Sequence, residues 1–153
     1  MDFVIGCDCA AVELKNCIAS MLRDLGHTVE DVGVHDDSDP TYYPEIARKA
    51  CGIIAESDYE KKGILICGTG IGMAMTANKF SNIFAAVCHD NYSAERAVLS
   101  NDANVLCMGA RVIGKELAKK IVKEWVNLKF ADGSSTPKVK MLRDIDWQMR
   151  HQS

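Results

Sequence analysis

No run of lysine or arginine marks this chain, and its formal net charge is −3. There is therefore no basic stripe to answer a nucleic-acid backbone. The apolar runs are too short to span a bilayer, and the first residues lack the charged-then-apolar layout of a secretory signal. Cys-x-x-Cys is absent despite seven cysteines. The four histidines, His27, His35, His89 and His151, have no metal-ligand spacing. An odd thiol count without a secretory signal, with Cys17, Cys51, Cys88 and Cys107 inside apolar runs, predicts reduced cysteines that act as small hydrophobes. A reduced, cytoplasmic protein without metal or cofactor is the expectation.

What is present is an ordinary globular composition, 48% hydrophobic and 25% charged over 153 residues, enough for one domain with a real core. One stretch organises it, from Gly63 to Lys79. Ile64-Leu65-Ile66-Cys67 has no alternation and reads as a parallel strand buried on both faces. Gly68, Gly70 and Gly72 follow at alternate positions, then an Ala/Met-rich helical run. A strand that ends in a thiol and turns through Gly-Thr-Gly-Ile-Gly presents backbone N–H groups suited to an anion, and favours the cysteine as thiolate. The segment is no P-loop, because no Gly-Lys-Ser/Thr closes it. Met73 stands where the last glycine of a dinucleotide fingerprint belongs. Gly-x-Gly-x-Gly alone is equally compatible with a turn that only turns.

Around it, strands alternate with helices. Phe3–Cys7 is a first strand, and Leu14, Cys17, Ile18, Met21, Leu22 and Leu25 trace the buried stripe of a helix that Gly26 ends. Thr28–Val32 reads as an edge strand, and Pro44 suits the first turn of a helix facing the core with Ile46, Ala47, Ala50, Ile53 and Ile54. Ile83–Cys88 and Asn104–Gly109 read as further strands, separated by a short helix over Ser93–Leu99. Gly114–Phe130 is expected to be the longest helix, with Leu117, Ala118, Ile121, Val122 and Trp125 inward. A polar linker, Asp132–Pro137, precedes an amphipathic tail helix from about Val139. The pattern predicts an α/β fold with a five-stranded parallel sheet covered on both sides. It would bring Asp8-Cys9, the Cys67–Gly72 turn, His89-Asp90 and the segment after Met108 to the carboxyl edge. The tail helix needs cover for its apolar face, either its own chain or a second copy.

The motifs also fit one family in order. Gly6-Cys7-Asp8, Tyr43-Pro44, Ile66 to Met73 with Ala77-Asn78-Lys79, Cys88-His89-Asp90-x-Tyr92-Ser93-Ala94, Ser100 to Leu106 and Gly109 to Gly114 closely resemble the ribose-5-phosphate isomerase B family. That family includes the galactose-6-phosphate isomerase subunits, and the likeness covers about residues 3 to 130. The resemblance implies a Rossmann-like three-layer α/β/α sandwich, a homodimer or tetramer with active sites shared between subunits, and cofactor-free aldose–ketose interconversion of a phosphorylated sugar. It implies Cys67 as the base that moves a proton between C1 and C2. Gly68, Gly70, Ile71, Gly72 and Met73 would hold the cis-enediolate through their backbone. Thr69 would assist ring opening or hold a hydroxyl. Asp8, Cys9, Tyr43, Ser100 and Asn101 would contact the sugar, Asn101 from the partner chain, and Arg111 would bind phosphate with a forked donor. On this reading residues 1–130 are the isomerase domain, and 131–153 are a linker and helix packing on a partner. His89 reads as structural.

Departures from the pattern bear on substrate. Cys9 and Ser100 replace family histidines, the second being the group that opens a furanose ring. The arginine-rich segment that grips phosphate is here Asp132–Lys138, leaving only Lys138 positive. The wording from Ser93 to Asn101, with Arg96 as an extra phosphate or carboxylate partner, looks like the branch that interconverts erythrulose 4-phosphate and erythrose 4-phosphate. A tetrose 4-phosphate cannot close a five-membered ring, so a ring-opening group has no task there. Two other readings stand beside it: an ordinary ribose-5-phosphate isomerase working slowly, and a sugar-phosphate-binding subunit without turnover.

Overall fold

The computed structural model describes residues 1–152. Five parallel strands, β1 (Asp2–Cys7), β2 (Thr28–Asp31), β3 (Lys62–Cys67), β4 (Ala85–Val87) and β5 (Val105–Gly109), lie in the order β2-β1-β3-β5-β4. The helices are α1 (Val12–Asp24), α2 (Tyr43–Glu56), α3 (Ile71–Ala77), α4 (Asn91–Leu99), α5 (Lys115–Trp125) and α6 (Thr136–Arg150). α1, α4 and α5 pack together on one face, and α2 with α3 on the other. Right-handed crossovers dictate this division, because steps to the left and to the right along the sheet place their helices on opposite faces. The result is a three-layer α/β/α sandwich. Chain direction along the sheet reverses between β1 and β3, which opens a crevice outside their carboxyl ends.

The centre of β3 explains the fold's stability. Ile64, Leu65 and Ile66 have no accessible surface, and burying each side chain is worth about 1.5–3 kcal/mol. Gly26 at φ +89° ends α1, its N–H donating to the Arg23 carbonyl and that of His27 to Leu22. This is the reciprocal closure for which a left-handed glycine is suited.

Several expected boundaries shift. The inner face of α1 comprises Leu14, Lys15, Ile18, Ala19 and Leu22, while Leu25 is exposed and Cys17 and Met21 are half-buried. β4 keeps only three residues, because the amides of Phe84 and Ala85 turn to the side-chain oxygens of Asn104 and Asn78. α5 stops at Trp125 with Leu117 exposed, so α6, at 15 residues, is the longest helix. α6 lies back on its own chain at the amino edge of the sheet, and polar contacts fasten it there. Arg143 pairs with Asp102, Asp146 accepts from the Asn82 amide at 3.0 Å, and Arg150 donates to the Lys79 carbonyl at 2.7 Å. Its apolar side chains Met141, Leu142, Ile145, Trp147 and Met149 remain exposed. Among the described residues no helix is long and apolar enough to cross a membrane.

Candidate active site

Cys67 is the last residue of β3, with Gly109 of β5 opposite it in register. Its thiol is 5% exposed, and Sγ accepts a hydrogen bond from the Gly70 amide at 3.1 Å. The donor is aimed where negative charge on sulfur would sit.

The turn after Cys67 is set by close approaches. Gly70 has φ +80°, and a Cβ there would lie 2.8 Å from the Met108 carbonyl carbon. A Cβ on Gly109 would lie 2.5 Å from Thr69 Cα and 2.7 Å from the Gly68 oxygen. The turn therefore rests directly on the end of β5, and only glycine fits on either side. Ala110 N–H donates to the Cys67 carbonyl at 2.8 Å and Arg111 N–H to that of Gly68 at 3.0 Å, extending the contact past the strands.

Within the expected anion hole the amides divide. Gly70 N–H serves the thiol and Ile71 N–H donates to Thr69 Oγ1 at 3.3 Å. Those of Gly68, Thr69, Gly72 and Met73 make no hydrogen bond among the described residues. Two side chains flank the turn. The Tyr43 ring covers Gly72, where a Cβ would sit 2.5 Å from its Cζ. The Arg111 guanidinium lies over Gly68, with Nη1 at 3.1 Å from the equivalent point. From the end of β1, Asp8 accepts the Ala10 amide at 3.0 Å, and Cys9 is exposed beside it.

The other interior thiols are poor rivals for a thiolate. Burial pushes Cys7 up to about 12, with Asp31 and Asp8 adding to it against Lys15. Burial alone takes Cys51 to about 12, and burial with Asp90 takes Cys88 to about 11. Cys107 is raised well above its ordinary value by burial among neighbouring thiols.

Four expected site residues are not brought here. α4 runs antiparallel to the strands from its N-cap Asp90 to its C-cap Ser100, so Ser100 and Asn101 emerge at the amino edge. The next residues confirm it: the Asn104 carbonyl accepts the amide of Gly63 at the start of β3. The six residues of β3 separate that edge from Cys67 by about 17 Å. Arg96 and Asn101 instead line a cleft of about 1070 Å³ with β4, Leu142 and Ile145 of α6. Arg96 Nε, buried, lies 3.4 Å from Glu95 Oε2, an ion-pair contact without hydrogen-bond geometry. Lys138 is exposed near the start of α6. In a single chain Ser100 and Asn101 therefore do not meet Cys67, and Arg96 faces the cleft instead.

Two contacts had no sequence signal. His89 Nε2 accepts the Gly109 amide at 2.8 Å. Lys15, with no accessible surface, pairs with Asp31 at 2.7 Å beneath the exits of β1 and β2. Among the described residues no cluster of three or more His, Cys, Asp or Glu could hold a metal ion.

Comparison with known proteins adds a lineage to this geometry. Residues 3–142 match the model of the ribose/galactose isomerase family. The chain is 44% identical to D-erythrulose-4-phosphate isomerase of Pectobacterium atrosepticum, with 99% of each chain covered. It is also 44% identical to ribose-5-P isomerase B of Listeria innocua, over 98% of this chain and 100% of the relative. The structure of ribose-5-phosphate isomerase B of Clostridium thermocellum superposes with a TM-score of 0.91 at 36% identity, covering 97% of this chain and 99% of the other.

Proposed function

The chain belongs to the ribose/galactose isomerase family and is a sugar-phosphate isomerase of the ribose-5-phosphate isomerase B type, and from that premise we propose that its substrate is a tetrose 4-phosphate. Cys67 as thiolate takes the proton from the carbon beside the carbonyl and returns it to the neighbouring carbon. The unpaired amides of the Gly68–Met73 turn receive the enediolate oxygen, where charge develops and fixed donors contribute most. Thr69, Asp8, Cys9 and Tyr43 orient the hydroxyls, and Arg111 holds the phosphate, its fork suited to that group. Cys67 beneath the Gly70 amide is the observation that supports this chemistry.

The two relatives at 44% identity divide between four-carbon and five-carbon substrates, so the choice rests on Ser100. A furanose must be opened before its C2 proton can move. In a tetrose 4-phosphate the hydroxyl that would close the ring carries the phosphate, so a serine suffices where a ring-opening histidine would stand.

Ser100, Asn101, Arg96 and Lys138 act from a second copy. The amino-edge position of Ser100 and Asn101, about 17 Å from Cys67, supports this, as do the exposed apolar side chains of residues 131–153 and of Ile71, Met75 and Val87. Residues 1–130 then form the catalytic domain, and the tail helix belongs to the interface. Seven unpaired thiols support a reducing, cytoplasmic setting.

Parallel isomerase assays on erythrulose 4-phosphate and ribose 5-phosphate, with Cys67→Ala as control, test the proposal. We expect a kcat/KM preference for the tetrose of at least about tenfold, or ~1.4 kcal/mol in the transition state. Preference for ribose 5-phosphate would overturn the substrate assignment. Solvent-proton exchange into a bound sugar phosphate without net turnover would point to a different sugar, and no exchange at all to a binding subunit.

A further inference from the structure

Gly109 is the last residue of β5, and β4 stops at Val87, before it. The final rung between the two strands is the Cys88 amide on the Cys107 carbonyl, at 3.0 Å. At the next position on β5 the Gly109 amide meets no β4 carbonyl and donates to Nε2 of His89 at 2.8 Å. An imidazole has replaced a strand. Because the amide is the donor, Nε2 carries the lone pair, and the ring proton of the neutral form sits on Nδ1.

The consequence lies one contact away. Gly109 touches the turn that carries the isomerase chemistry, with no room for a methyl group between its Cα and Thr69 Cα or the Gly68 oxygen. Met108 presses equally closely on Gly70, the residue whose amide serves the Cys67 thiol. On the other side, His89 is anchored by its neighbour. Asp90 caps α4, accepting the Ser93 amide at 2.7 Å, so the imidazole projects from a fixed helix start. A continuous path of short contacts thus runs from the α4 cap through His89 and Gly109 to the turn beside Cys67.

We propose that His89 is a positioning residue for the isomerase reaction: by accepting the Gly109 amide it fixes the end of β5 against the Gly68–Gly70 turn, and so aligns the amides and thiol that act on the enediolate. This rests on the assignment of Cys67 and its turn to catalysis. His89 does not touch the substrate. Its removal frees Gly109 to shift, and a displacement of about 1 Å at reacting groups can cost on the order of 100-fold in rate. Arg111, assigned to the phosphate, is tied to the Gly68 carbonyl by its own amide at 3.0 Å, a bond that does not depend on His89, so the loss falls on kcat more than on KM.

Three substitutions separate the acceptor from the bulk of the ring. His89→Gln places a side-chain carbonyl near the position of Nε2, His89→Phe keeps the ring without an acceptor, and His89→Ala removes both. Each is assayed beside Cys67→Ala on erythrulose 4-phosphate and ribose 5-phosphate, and hydrogen exchange at the Gly109 amide is followed in the same samples. We expect kcat to fall by about tenfold or more in His89→Phe and His89→Ala, with KM within about threefold. His89→Gln should stay within about threefold of the parent in kcat, with Gly109 exchange slow only in the parent and in His89→Gln. Equal losses in the Gln and Phe variants, losses confined to KM, or parental Gly109 exchange in His89→Phe would each overturn the proposal. If His89→Ala fails to fold, the Gln–Phe comparison still decides. A silent Cys67→Ala beside a fully active His89→Phe would overturn this inference alone, whereas an active Cys67→Ala would overturn the site assignment and this inference with it.

Discussion

Lys15 and Asp31 form an ion pair that neither residue's neighbours in sequence announce. The ammonium of Lys15 has no accessible surface, and Asp31 divides its oxygens between Lys15 at 2.7 Å and the Gly33 amide at 2.9 Å. Gly33 in turn packs against Cys7, where a Cβ would lie 2.7 Å from the backbone nitrogen, so the pair braces the exit of β1 just before Asp8. Without Lys15, the mostly buried Asp31 carboxylate keeps only the Gly33 amide. Lys15→Met should therefore cost about 3–5 kcal/mol in chemical denaturation, whereas Lys15→Met with Asp31→Asn, which keeps an acceptor for the Gly33 amide, should recover most of the loss. A double variant as unstable as the single would show that the pair's geometry, not the stranded charge, is what matters. Lys15 escaped the sequence reading because it lies beside Leu14 within a plausible stripe that included Cys17 and Met21. A lysine is taken as solvent-facing unless its partner, 16 residues on, is known. The glycines, by contrast, were legible. Gly70→Ala imposes both a positive φ and a clash with Met108, and should lower stability by about 1–3 kcal/mol and activity by at least about tenfold. Gly114→Ala, with nothing within 4 Å but at the N-cap of α5, should cost at most about 1 kcal/mol and leave turnover near the parent's, and so serves as its control for activity.

Elements were most legible where burial is complete. β3 and the turn behind it follow from an unbroken apolar run meeting three glycines, and α2 from Pro44 with its apolar spacing. β4 and the end of α5 were not, because side chains of Asn78 and Asn104 take over strand bonds and the Leu128 carbonyl accepts from Lys62 at 3.2 Å. Such partners are distant in sequence and leave no local pattern. The buried layer also fixes a pH response. Thiols on β1, on α2, beside β4 and on β5 are all held above their unfolded value, Cys7 and Cys51 to about 12 and Cys88 to about 11. A thiol whose folded value is raised binds its proton more tightly in the folded state than in the unfolded one. Its contribution is complete below pH ~9 and is lost as pH rises toward the folded values. The melting temperature should hold from pH 7 to about 8.5 and then fall steadily to pH 11. Replacing Cys51 with alanine should flatten that fall, and an unchanged slope would mean that lysines or tyrosines govern alkaline unfolding instead.

At the scale of the molecule, the residues proposed for one site lie at opposite edges of the chain's sheet. Cys67, Thr69, Tyr43 and Arg111 gather at the carboxyl edge, while Ser100, Asn101 and Arg96 sit at the amino edge beside a cleft that α6 only partly fills. The family resemblance implied Asn101 from a partner chain, and the helix before Ser100 with the strand after Asn104 puts Ser100 and Asn101 at the amino edge. A partner that would cover the apolar side of α6 leaves no pattern in the sequence of one chain. The tail is held by the Arg143–Asp102 pair, worth about 0–1 kcal/mol, by bonds to the Asn82 amide and the Lys79 carbonyl, and by buried Val139, which leaves Leu142, Ile145 and Trp147 exposed for burial against a second copy. In such a dimer the site of one chain receives Asn101 from the other, which has a quantitative consequence. Cys67→Ala and Asn101→Ala homodimers each lack a complete site. Refolding them together at equal concentration makes half of the dimers mixed, and each mixed dimer has one site in which both residues are intact. Activity should return to about one quarter of the parental level. If both residues served one site within a single chain, the mixture would show only the residual activity of its components. Recovery near one quarter would also place the catalytic thiol and Asn101 on different chains without any need to see the interface.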